Sequence, residues 1–157
     1  MISEEIFITP IGYVQCTRMN AVDDHWDKET SSIVIDERFD SAVLEGLSEF
    51  SHLEVIYHFH EVDQSRIITG SRHPRNNPAW PKVGIFAQRG KNRPNRIGAT
   101  ICELLGVRGR IMDVNRLDAI DGSPVIDIKP IMQEFLPRGE IRQPEWSREI
   151  MTEYWTQ

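Results

Sequence analysis

The stretch GIFAQRGKNRPNRIG, residues 84–98, passes abruptly from apolar residues to Arg89, Lys91, Asn92, Arg93, Asn95 and Arg96 around a single proline. Guanidinium groups fixed at a strand end suit planar, anionic or carboxylate recognition, because their donors form a rigid fork. The same residues would also serve as an ordinary basic hairpin tip in water. Downstream, LDAIDGSPVIDIKP, residues 117–130, sets Asp118, Asp121 and Asp127 into a hydrophobic run. A carboxylate is costly to bury without partners, so each either accepts backbone amides in a turn or faces a polar ligand. Asp121-Gly122 has turn chemistry, which leaves Asp118 and Asp127 as the freer pair. Lys129, two residues beyond Asp127, shares its strand face and can simply pair with it.

The elements that must position these groups read mostly as strands. Alternation and β-branched or aromatic content predict strands over 6–15, 33–39, 53–60, 83–89, 97–105, 110–117 and 124–130. Residues 44–47 read as a tight turn, and three prolines in SRHPRNNPAWPK, residues 71–82, forbid regular structure there. The polar segment 17–32 is a loop of unusual length, a class that is usually functional or disordered. One helix is expected over 144–155, with Pro144 in its first turn and Glu145 at the positive end of its dipole. Its stripe of Trp146, Ile150 and Tyr154 would pack on the barrel or on a second subunit. The fold class is therefore mainly β: a single antiparallel β-barrel of about seven strands with a C-terminal helix, one domain over 1–157. A βαβ unit with GxGxxG is absent, which excludes the usual dinucleotide and methyltransferase sandwich.

Composition narrows the setting. Hydrophobic residues make up 39% and charged residues 27%, as in an ordinary globular protein. No apolar run reaches the roughly 18 residues that span a bilayer, and the acidic start MISEEIFITP does not read as a secretory signal. Cys16 and Cys102 form neither a ligand cluster nor a disulfide framework, so reduced thiols, a cytoplasmic setting and no metal are expected. The net charge of −6 is unevenly spread: from Arg66 to Arg110, ten basic residues face the single acid Glu103. That segment could meet phosphates, or could be a solvated face paired to acids elsewhere.

Taken in order, GIFA-x-R-x-x-x-RPN-x-IG and LD-x-x-DG-S-PV-x-DIKP resemble the tRNA N6-threonylcarbamoyladenosine methyltransferase family (TrmO). Further agreement lies in Pro10-Ile11-Gly12, Leu44-Glu45-Gly46-Leu47, Phe50-Ser51-His52-Leu53, Phe59-His60 and His73-Pro74-Arg75, so the resemblance runs over about residues 7–131. It implies a β-barrel homodimer that uses S-adenosylmethionine to methylate N6 of the modified adenosine beside the tRNA anticodon. On matching positions it implies cofactor contacts at His60, Glu61, Arg89, Ala99, Leu117, Asp118, Ala119 and Ile120, with His25 and Trp26 added from the long loop. Arg89 suits the cofactor's carboxylate, and Asp118 or His60 could take the proton that the attacking nitrogen loses. Lys91, Arg93, Asn95 and Arg96 would then project toward RNA. The chain departs from the family pattern at Glu61, Gln88, Gly90, Lys91, Arg96 and Ile131, and the C-terminal extension of some bacterial relatives is not expected. Two other readings keep the barrel: methylation of a small molecule or another RNA, and a non-catalytic module that binds cofactor or nucleic acid.

Overall fold

The structure, a computed structural model, describes residues 4–156; the outermost positions of the expected domain, 1–3 and 157, lie outside them. Six strands close into an antiparallel barrel: β1 Gly12–Gln15, β2 Thr30–Ile35, β3 His52–His58, β6 Ile97–Arg108, β7 Ile111–Asn115 and β8 Pro124–Pro130. Their order is β1-β2-β7-β6-β3-β8, and β8 returns to β1 through Gly12↔Val125 and Tyr13↔Pro124. Two short strands, β4 Ser71–Arg72 and β5 Val83–Gly84, form a separate ribbon.

Alternation decides which side chains fill the barrel. Leu53, Val55 and Tyr57 of β3, Met112 and Val114 of β7, and Val14, Ile33 and Val125 are all at most 2% exposed. Closing so few strands demands sharp curvature, supplied where β6 slips register against β7 between Leu104 and Gly106 and where β3 slips against β8 between Ile56 and Tyr57. Gly12 lets β1 and β2 approach, since a Cβ there would lie 2.4 Å from the Val34 carbonyl oxygen.

Three expectations need correction. The barrel has six strands, because segment 83–89 pairs for only two residues and then enters a 3-10 turn over Ile85–Ala87. The Gln88 side chain holds that turn by donating to the carbonyls of Arg72 (3.1 Å) and Val83 (3.0 Å). Residues 6–11 are not strand: Ile6 and Phe7 are 84% and 90% exposed, and pairing begins only where β2 and β8 become neighbours. The helix, α1, covers Glu145–Ile150 rather than 144–155. After Met151 the chain leaves the helix, and its main chain meets the loop before β2 instead.

Antiparallel closure has one consequence for function. The last residues of β1, β3 and β7 and the first of β2, β6 and β8 all lie at the same end of the barrel. Loop 16–29, the turn after β3, the RPNR turn before β6 and segment 116–123 therefore gather there.

Candidate active site

Asp118, on the connection after β7, is the polar centre of that end. The Tyr57 hydroxyl lies 2.9 Å from both its carbonyl oxygen and its Oδ1. The Thr100 hydroxyl also donates to Oδ1, and the Tyr154 hydroxyl donates to Oδ2. One half-buried carboxylate is thus held by hydroxyls from β3, β6 and the segment after α1. Burial, and then the Asp118 charge, push the Tyr57 and Tyr154 phenols well above their ordinary range, so both stay protonated as donors. The same two effects push the buried Cys102 thiol up to about 12.

Arg89 reaches this group from the ribbon side. It is exposed, donates through Nη2 to the carbonyl of Ala99, and lies near enough to Tyr154 for its charge to act on that phenol. Ala99 pairs with Ile56 across β3 and β6 and offers its main chain to Arg89. Leu117, Ala119 and Ile120 are 0%, 1% and 8% exposed, so their side chains are core and are not offered to a ligand. His60 stands at the turn beyond β3; a Cβ on Gly122 would lie 3.7 Å from its Nε2, beside segment 117–122. Glu61 is exposed next to it. His58 shares this corner, and burial, then the charges of Arg96 and His60, hold its imidazole below the usual range.

The long loop is ordered by one arginine. Arg18 donates to the carbonyls of Val22 (3.0 Å), His25 (3.1 Å) and Asp24, and its guanidinium sits 3.6 Å from the centre of the Trp26 ring. Trp26 is only 4% exposed, so it anchors the loop rather than offering an open stacking face. His25 takes a left-handed conformation, φ 65°, and its amide bonds the Glu153 carbonyl at 3.0 Å. Asp24 receives a two-pronged bond from Arg75 at 2.7 and 3.0 Å, which ties the loop to the proline-rich segment.

The basic rim divides into two kinds of residue. Arg93 donates to the Gln88 carbonyl at 2.7 Å and Arg96 to the Val62 carbonyl at 2.6 Å, so both staple the turn as well as carrying charge. Asn95 and Arg96 are both left-handed, at φ 63° and 51°, which gives the RPNR turn its shape. Lys91 is half-buried and Asn95 exposed. Among the described residues, Arg66, Arg72, Lys82, Arg89, Lys91, Arg93, Arg96 and Arg110 make no ion pair; only Arg75 and Arg108 of that segment do, with Asp23, Asp24 and Asp113.

Two carboxylates leave the picture. Asp121 accepts the Cys16 amide at 3.0 Å and Gly122, at φ 76°, completes the expected turn. Asp127 pairs with Lys129 on the barrel's outside and accepts the Ile128 amide at 2.9 Å, away from Asp118. Residue patterns alone missed Tyr57, Thr100 and Tyr154. For the first two a signal existed, since period-two alternation puts Tyr57 with Leu53 and Val55, and Thr100 with Gly98 and Cys102, on inward faces.

A family model, tRNA-methyltransferase O N-terminal domain, matches residues 17–135 of the chain. A probable S-adenosyl-L-methionine-binding protein of Methanothermobacter thermautotrophicus is 39% identical over 134 residues, covering 83% of this chain and 93% of that protein. The tRNA (adenine(37)-N6)-methyltransferase of Escherichia coli is 37% identical over 99 residues, or 60% of this chain and 40% of that enzyme. A crystal structure of TrmO from Pseudomonas aeruginosa superposes with a TM-score of 0.70 at 26% identity, covering 88% of this chain and 62% of that one. The chain thus spans nearly all of the archaeal relative but less than two thirds of the other two.

Proposed function

Because the chain belongs to the tRNA-methyltransferase O family, we propose that it uses S-adenosylmethionine to methylate N6 of the threonylcarbamoylated adenosine beside the tRNA anticodon. What carries the reading is the meeting, inside the matched region, of Arg89, Ala99 and Asp118 from three separate segments at one barrel end. The groups present suit S-adenosylmethionine: an exposed guanidinium for its carboxylate, and a fixed carboxylate for its positive sulfur or its ribose hydroxyls. When bound, that cofactor supplies an electrophilic methyl group.

The chain's own residues then divide the work. Arg89 holds the amino-acid end, with one donor already aligned by Ala99. Asp118 acts as a fixed negative charge rather than as the base. Its oxygens already receive three hydroxyls, and protonation would force one of them to turn around. His60 is therefore the better acceptor for the proton of the attacking nitrogen. Placement of the methyl donor and the attacking nitrogen in line supplies much of the remaining catalysis. The cations of the turn before β6, Lys91, Arg93 and Arg96, with Asn95, would meet the RNA backbone. We further propose that the chain works as one domain, as a homodimer, in the cytoplasm where tRNA is found.

The test is methyl transfer from labelled S-adenosylmethionine to tRNA that carries threonylcarbamoyladenosine. Label in the N6-methylated nucleoside after digestion supports the proposal; cofactor binding without transfer to that tRNA would overturn the substrate. Arg89→Ala should weaken cofactor binding by about 1.5–3 kcal/mol, the range for a hydrogen bond to a charged group.

A further inference from the structure

The segment after residue 135 lies beyond the part of the chain that the family model matches, yet it reaches the centre of the site. Its attachment is mostly polar. α1 buries no residue, and Trp146, Ile150 and Tyr154 are only half-buried, so the expected packing stripe is a minor part of what holds it. Instead, the amides of His25 and Trp26 bond the carbonyls of Glu153 (3.0 Å) and Tyr154 (2.8 Å). The Trp80 indole donates to Glu149 at 2.7 Å, and the Tyr154 hydroxyl ends on Asp118 Oδ2. Oδ1 is taken up by β3 and β6, so among the described residues Tyr154 is the side chain that occupies the second oxygen.

We propose that residues 144–156 form a wall of the cofactor site of their own barrel, and that Tyr154 is a positioning residue which acts through Asp118. The proposal rests on the reading of Asp118 as a cofactor contact and extends it to a part of the chain that the family match does not reach. With Tyr154 in place the carboxylate is held from both oxygens; without it, only Oδ1 stays fixed, Oδ2 passes to water, and binding must restore the two-sided hold.

The experiment is a double-mutant cycle on S-adenosylmethionine affinity, measured by calorimetry with the full chain. Tyr154→Phe keeps the ring and removes only the hydroxyl, and is expected to weaken binding about tenfold. In an Asp118→Asn background the same change should have an effect below about twofold, since the residue it acts through is gone. Hydrogen exchange at the His25 and Trp26 amides should stay slow in Tyr154→Phe, which separates loss of the hydroxyl from detachment of the wall. Unchanged or tighter binding by Tyr154→Phe, or an equal loss in both backgrounds, overturns this inference while the cofactor reading stands. A parent protein that does not bind S-adenosylmethionine overturns both.

Discussion

Replacing Gly98 by alanine puts a methyl group where the structure has no room for one. A Cβ at this position of β6 would lie 2.6 Å from Cζ and 2.9 Å from Cε2 of Tyr57, and 2.9 Å from Cζ of Phe59. Carbon atoms pack at about 3.5–4.0 Å, so the Tyr57 ring must move by about 1 Å. It has nowhere to go: Tyr57 is 2% exposed and its ring already meets Phe59 edge-on at 5.3 Å. Overpacking of this kind costs about 1–3 kcal/mol. The displacement also breaks the hydroxyl's bond to Asp118, worth about 1.5–3 kcal/mol when one partner is charged. Together these give about 2.5–6 kcal/mol, to be read as the loss of unfolding free energy in urea. Tyr57→Phe isolates the second part, because it removes the hydroxyl and leaves the ring. Gly98→Ala should then cost only the overpacking part in the Tyr57→Phe background. A Gly98→Ala protein within about 0.5 kcal/mol of the parent, the range of an inert surface change, would refute the reasoning.

Three other perturbations follow from the same structure. His58 is held below the ordinary histidine range, first by burial and then by Arg96 and His60. The folded chain therefore binds fewer protons than the unfolded one, and stability present above about pH 6.5 is lost as pH falls through the folded value. His58→Gln should flatten the fall in Tm between pH 7.5 and 5, and an unchanged slope would contradict the assignment. Both thiols are raised mainly by burial, Cys102 to about 12, so native protein should react slowly with a thiol reagent at pH 8 and at both sites in urea; rapid native labelling of Cys102 would be inconsistent with the core. Lys91 has no carboxylate partner among the described residues, so Lys91→Ala should lower the salt slope of tRNA affinity by about one unit without changing cofactor affinity. An unaltered slope would remove Lys91 from the RNA face.

The barrel was legible because its strands are half-buried and their alternation is strict: Leu53, Val55 and Tyr57 turn inward while Glu54 and Ile56 stay only partly buried. What misled was segment 83–89, whose apolar residues look like strand but whose partner, hemmed by Pro74, Pro78 and Pro81, can pair for only two residues. At the site, Arg89 and Asp118 stood out as charges inside apolar runs, a signal that desolvation cost makes visible. Asp127 carried the same signal and proved to be an outward-facing partner of Lys129, because the register slip between Ile56 and Tyr57 lies at its position and no periodicity reports a bulge. Tyr154 was legible as an apolar stripe residue only. Its hydroxyl acquires meaning from a contact 36 residues away, which no local pattern encodes.

Charge is unevenly placed around the site end of the barrel. A chain of net charge −6 would repel a polyanion if its charges were mixed evenly. Here several acids near the site are paired with cations of their own: Asp23 and Asp24 with Arg75, and Asp27 with Arg116. The cations around them are left over, since Arg93 and Arg96 bond only carbonyls, which hold the side chains without neutralising them. A carbonyl-stapled guanidinium loses less conformational entropy on meeting a phosphate than a free one, so these two residues trade reach for preorganisation. Lys91 keeps the reach. The site end can thus hold a positively charged sulfur against one buried-side carboxylate while its rim remains attractive to phosphate.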